Sequence, residues 1–125
     1  MAAVQSASDF EGFVKEFLDV YNTPPHNIKQ FYANKMIWVE IPGGRSGGQD
    51  EYFAASDGVR DVMERVEITE TIGTHFSSDT GIFECKWRAT RRNGAGDIHA
   101  ILVWVWQFDE TGKITMQRDY FMPAT

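Results

Sequence analysis

GKITMQRDYF, residues 112–121, is the stretch of this 125-residue chain on which its fold turns. Gly112 ends a turn, and the residues after it alternate as a strand does, which puts Asp119 and Phe121 on one face. A carboxylate buried on an apolar, aromatic face has its pKa raised and becomes a candidate proton donor or acceptor near neutral pH. Asp119 is therefore the first candidate catalytic residue. Its bland alternative is a buried ion pair with a basic neighbour such as Lys86 or Arg88.

Working outward from this segment, three more strands precede it, over 67–76, 81–91 and 97–108, separated by the turn signals SSDTG, RRNGAG and DETG. In the strand over 97–108, Ile98, Ala100, Leu102, Trp104 and Trp106 fall on one side and Ile101, Val103 and Val105 on the other. A strand apolar on both faces is covered twice, and a second copy of the chain is the economical second cover, so a homodimer is expected.

The period changes towards the amino terminus. Ser8 and Glu11 have the spacing of a capping box, and Phe10, Phe13, Val14, Phe17, Leu18 and Tyr21 recur at helical intervals behind them. Pro24 and Pro25 lead into a short helix through Ile28, Phe31 and Tyr32. A strand is predicted over 36–41, stopped by Pro42, then a glycine-rich loop over 43–48. A second helix is expected over 50–66, perturbed at Gly58, with Phe53, Val59, Val62, Met63 and Val66 buried. Helices first and a strand meander after them predict an α+β domain spanning 1–125, with a curved, mostly antiparallel sheet and helices packed on one face.

Composition narrows the function classes. With 42% hydrophobic residues the chain can build one core, and a net charge of -6 disfavours nucleic acid and anionic lipid as partners. One cysteine, Cys85, forms no internal disulfide and points to a reducing compartment. Residues 1–8 lack the basic and apolar segments of a signal peptide, and no apolar run is long enough to span a bilayer, so a cytoplasmic location is expected, with no membrane contact.

This order of elements, with KIT..RDYF at 113–121, IWVEIPG at 37–43 and VEITETIG at 66–73, resembles the SnoaL-like and limonene epoxide hydrolase-type enzymes of the nuclear transport factor 2-like superfamily. The resemblance covers nearly the whole chain. It implies a cone-shaped α+β fold with helices on the concave sheet face and a pocket between them. The aspartate matching Asp119 projects into that pocket and, in hydrolase and cyclase members, is the general acid or base.

Trp38 and Glu40 match the positions of a tyrosine and an asparagine that hold the attacking water in the epoxide hydrolases. Glu40 can hold water or substrate, whereas an indole cannot accept as a phenol does. The arginine and aspartate that complete the hydrolase triad are replaced by Trp87 and Ala89, or by Lys86 and Arg88 if the register slides by one. Ketosteroid isomerases of this architecture carry a base just before a proline at the end of the first strand; here that residue is Ile41, and Glu40 would point to the opposite face.

The resemblance together with the residues implies a cofactor-free cyclase or isomerase of the SnoaL type, acting on a small apolar or polycyclic substrate such as a polyketide or terpenoid intermediate. Asp119 and Glu40 are its candidate catalytic residues, and Trp38, Trp87, Trp104 and Phe121 its pocket walls. Epoxide opening is the alternative chemistry, and a non-catalytic ligand-binding or assembly domain the alternative class. Tryptophans are more often core or interface residues than ligand walls, and Trp87 and Trp38 are better wall candidates than Trp106. His75 and His99 are candidate second proton carriers, and His26, His75 and His99 lack ligand spacing, so no metal is expected. Cys85 has no adjacent base and reads as a small buried residue. Residues 43–48 lack the Lys and Ser/Thr of a phosphate loop and are expected to form a mobile rim over the pocket. Arg91 and Arg92 read as a solvated hairpin.

Overall fold

A computed structural model describes residues 3–124, so Met1, Ala2 and Thr125, which belong to the amino-terminal segment and domain span considered above, lie outside the described residues. Helix α1 spans Ala7–Asn22. Its cap is Ser6, not Ser8: the Ser6 hydroxyl accepts from the Asp9 amide at 3.0 Å, and the Asp9 carboxylate accepts from the Gln5 amide at 3.1 Å. Two serines compete here, and the earlier one leaves Ala7 and Ser8 free to enter the first turn. Phe10, Phe13, Val14, Phe17 and Tyr21 form the buried face, as their spacing predicts.

A single 3-10 turn over Ile28–Phe31 leads into strand β1, Tyr32–Ile41, which starts four residues before the expected strand. Ala33, Asn34 and Lys35 carry no alternating apolar signal; what holds them in the strand is Tyr32, buried opposite Ile114. A two-residue strand β2, Ser46–Gly47, pairs back on β1 from within the glycine-rich segment. Helix α2 is Gln49–Val62 and runs through Gly58 without a break. It ends four residues before the expected boundary, and Val62 is exposed. The chain passes directly into β3, Met63–Ser77, so no turn residue marks the change. Val66, assigned to the helix by spacing, faces inward from β3 opposite Ala89.

Strands β4 (Thr80–Arg91), β5 (Asp97–Phe108) and β6 (Ile114–Ala124) complete a six-stranded sheet in the order β2-β1-β6-β5-β4-β3. Only β1 and β6 run parallel; the other pairings are antiparallel, as the α+β expectation requires. Three irregularities in the β3–β4 register supply extra twist and bend the sheet around the helices.

Both helices lie on the inner face. Phe13 and Phe17 of α1 meet Trp106 at 5.5 and 4.9 Å between ring centroids, and Phe17 meets Trp104 at 5.4 Å. Tyr52 of α2 packs on Tyr32 and Trp38 of β1. The fit of α1 depends on Gly81, because a Cβ there would stand 2.3 Å from the ring of buried Phe10. Gly81→Ala should therefore destabilise the fold by about 1–3 kcal/mol, the usual cost of overpacking. A urea midpoint equal to that of the parent would show that the ring has room to move.

Candidate functional site

Pairing the first and last long strands in parallel sets Glu40 beside Asp119 and Trp38 beside Gln117, while the β5–β6 register sets Trp104 on the other side of Asp119. Alternation then turns Trp38, Glu40, Gln117, Asp119 and Phe121 to the same inner face. Helix α2 stands off that face far enough to leave a cavity of about 480 Å³. Trp38, Glu40, Trp87, Trp104, Asp119 and Phe121 all line it, so the two candidate catalytic residues and the four candidate wall residues share one hollow. Trp106 does not; it is sealed under α1.

Asp119 is held by groups that can only donate. The Trp38 indole Nε1 donates to Oδ2 at 2.9 Å, and the Gln117 Nε2 donates to Oδ1 at 2.7 Å. The orientation of the Gln117 amide is fixed from behind: its Oε1 accepts from the Trp106 indole at 2.7 Å and from the Tyr32 hydroxyl. An indole N–H has no acceptor role, so Gln117 must turn its oxygen to Trp106 and its amino group to Asp119. Burial pushes the Asp119 carboxyl from 3.8 up to about 6; the bonds from Trp38 and Gln117 oppose the rise, the charge of Glu40 adds to it, and the Trp104 indole opposes it more weakly. The ion-pair alternative is ruled out, because Lys86 pairs with Glu70 and Arg88 with Glu67.

Glu40 reaches the cavity, but both of its oxygens are engaged by Arg45, at 2.9 and 2.7 Å. The Arg45 guanidinium also lies over the Trp38 ring. The rim over 43–48 is thus pinned, not loose: Glu40 donates its amide to the Arg45 carbonyl at 2.8 Å, and Gly44, in the left-handed region at φ +76°, donates to the Glu40 carbonyl at 2.8 Å.

The opposite wall is aromatic with one hydroxyl. Trp87 packs edge-on against Phe121 at 5.6 Å and donates its indole N–H to the Tyr21 hydroxyl at 3.0 Å. Burial raises the Tyr21 hydroxyl to about 12, which keeps it a neutral donor. Trp87 and Ala89 are both buried, and an arginine–aspartate pair is missing from that strand, as the sequence comparison implied.

Gln117 and Tyr21 were not among the predicted site residues. Gln117 carried a usable signal, a polar residue two positions before Asp119 on the same strand face. Tyr21 was hidden by its regular place on the apolar face of α1. Arg60, another cavity residue, was masked by the overlong helix assignment. His75 and His99 are exposed and point away from the cavity, which removes them as proton carriers for it. Burial raises the Cys85 thiol to about 12 and it does not line the cavity, in keeping with a packing role. Among the described residues, no helix is long and apolar enough to cross a membrane.

Neither a protein-family model nor a curated protein sequence matches this chain. Solved structures do. AclR from Streptomyces galilaeus, described as a candidate hydroxylase, superposes with a TM-score of 0.78 at 12% identity, over 94% of this chain and 81% of its own. A protein with a ketosteroid isomerase-like fold from Catenulispora acidiphila, solved with trimethylamine, gives 0.73 at 14% identity, over 87% and 84%. A candidate SnoaL-like polyketide cyclase from Jannaschia gives 0.72 at 9% identity, over 90% and 83%. At these identities the likeness is one of architecture: the chain has the nuclear transport factor 2-like fold, the α+β cone shared by SnoaL-like proteins.

Proposed function

We propose that the chain is a small-molecule isomerase or cyclase in which Asp119 moves a proton on a carbonyl-bearing, apolar polyketide- or terpenoid-type substrate. The supporting observation is a carboxyl titrating near 6, gripped by two obligate donors and facing an aromatic cavity. Above pH 6 the carboxylate takes a proton from the carbon next to the carbonyl, giving an enolate inside the aromatic cavity. The protonated Asp119 then returns that proton at another carbon, or to the new oxygen if the enolate closes a ring. A group matched to neutral pH serves both halves of such a transfer, and the apolar walls keep water from the intermediate. With Arg45 on both its oxygens, Glu40 acts as a rim anchor and tunes Asp119 through its charge.

Isotopes test this on bicyclic enones and linear poly-β-ketones. Deuterium placed at the carbon next to the carbonyl should reappear at the receiving carbon of an isomerised product or leave that carbon in a cyclised one, and oxygen from H2(18)O should not enter the product as a diol. A labelled diol would indicate epoxide opening instead, and saturable binding without product would make the chain a binder.

The same proposal includes a homodimer formed through the outer sheet face. Ile37, Ile82 and Met122 alternate with inward-facing residues and are 63%, 37% and 47% exposed, and both helices cover the other side. Sedimentation should give a dimer at micromolar concentration, converted to monomer by Ile82→Lys; a monomeric parent protein would refute the dimer.

A further inference from the structure

Arg60, in the last turn of α2, is a half-buried cation that lacks a carboxylate within 4.0 Å among the described residues. Its position is nonetheless fixed. One Nη donates to the Val66 carbonyl at 3.1 Å, the other to the Tyr21 carbonyl at 2.8 Å, and the guanidinium lies 4.8 Å from the centre of the Tyr21 ring. A guanidinium carries five N–H donors, so three remain unpaired among the described residues, and Arg60 lines the cavity. Beside it, the Tyr21 hydroxyl accepts from Trp87 and so keeps its own proton for a further acceptor.

Asp119 and Arg60 both line the cavity without pairing with each other. Asp119 sits level with Trp104, whereas the Arg60 anchor Val66 sits level with Ala89 and Ile98, six residues further along β5. Tyr21 stands between the two levels, its ring 4.8 Å from the Arg60 guanidinium and 5.8 Å from the ring of Trp104. The carboxylate whose charge acts on Arg60 is Asp57, earlier on α2, and it forms no ion pair with it within 4.0 Å.

A planar, pre-oriented fork of donors over an aromatic ring, in a hollow with apolar walls, matches a carboxylate in geometry and charge. We propose that Arg60 and Tyr21 form a recognition site for the carboxylate of an otherwise apolar ligand, whose body lies along Trp87 and whose far end reaches Asp119. This rests on the cavity being a small-molecule site, and it names the substrate class: an apolar carboxylic acid. A purely structural Arg60, tying α1, α2 and β3 together through the two carbonyls, would stabilise the fold without distinguishing a charged ligand from its neutral isostere.

The test is calorimetric titration at pH 7.5 with naphthalene-2-carboxylate and naphthalene-2-carboxamide, which share shape and differ in charge. The parent protein should bind the carboxylate at least tenfold more tightly than the amide, Arg60→Gln should bring the two within about twofold, and Asp119→Asn should keep the preference. Equal affinities in the parent, a preference that survives in Arg60→Gln, or no saturable binding of either probe would overturn the assignment. Should Arg60→Gln fail to fold by circular dichroism, Arg60→Lys takes its place: it keeps the charge and loses the fork, so the preference should shrink severalfold, and an unchanged preference would overturn the site. Failure of the proton-transfer reading is distinguishable, since it shows as turnover that survives Asp119→Asn while the charge preference still follows Arg60.

Discussion

Asp119→Asn should lower turnover by roughly 10²- to 10⁴-fold, the usual contribution of a positioned acid or base. The asparagine cannot take the proton, and it also disturbs its neighbours, because both atoms that face it, Trp38 Nε1 and Gln117 Nε2, are donors. An amide offers them one oxygen, so one donor meets an N–H. The pH dependence separates these effects. The folded carboxyl titrates at about 6 and the unfolded one near 3.8, so between these values the folded state holds a proton that the unfolded chain releases. The stability contributed by this group is complete below about pH 4 and is lost as the pH rises through 6. About two pH units at 1.36 kcal/mol each amount to roughly 3 kcal/mol. Urea unfolding from pH 4 to 7.5 should show this fall in the parent protein and not in the variant. In the parent, kcat/KM should climb through pH 6, as for a base; superimposable stability profiles, or a rate that falls through pH 6, would contradict the assignment.

Gln117→Leu should cost about 5 kcal/mol of stability, because it strands three partners at about 1–3 kcal/mol each. Trp106 and Tyr32 lose the acceptor they share, and Asp119 loses a donor. Gln117 is fully buried, so water does not replace them without opening the core. The Asp119 titration, followed by carboxyl carbon NMR, should move above 6 with the loss of a bond that favours its ionised form. Gln117→Glu gives a contrasting result. Its oxygens still accept from Trp106 and Tyr32, but the one facing Asp119 must share a proton with it, so stability suffers less and the Asp119 titration still rises. A stable Gln117→Leu protein with Asp119 unchanged would show that the amide is a spectator.

Much of this site was legible because β6 and β5 announce themselves: turn residues before each, period-two alternation and dense β-formers fix faces without knowledge of the fold. The faces put Asp119, Phe121 and Trp104 on the inner side of the sheet, and the motif at 37–43 does the same for Trp38 and Glu40; all five line the cavity. What stayed hidden is what only pairing creates. Glu40 looked free because its partner Arg45 sits in a glycine-rich turn whose fold-back depends on β2. The end of α2 was misplaced because Val59, Val62, Met63 and Val66 satisfy a helical spacing that continues across a boundary with no turn residue in it.

The parallel pairing of β1 with β6 also bears on when the protein becomes competent. The bond from Trp38 to Asp119 spans 81 residues of sequence, with strands β2 to β5 lying between its ends along the chain. Such long-range closures are made late and slowly. The carboxyl should therefore acquire its unusual titration only in the final folding step, with the Trp38 fluorescence as its clock. Intermediates with α1 already docked on β5 would hold an Asp119 that behaves as an ordinary surface acid.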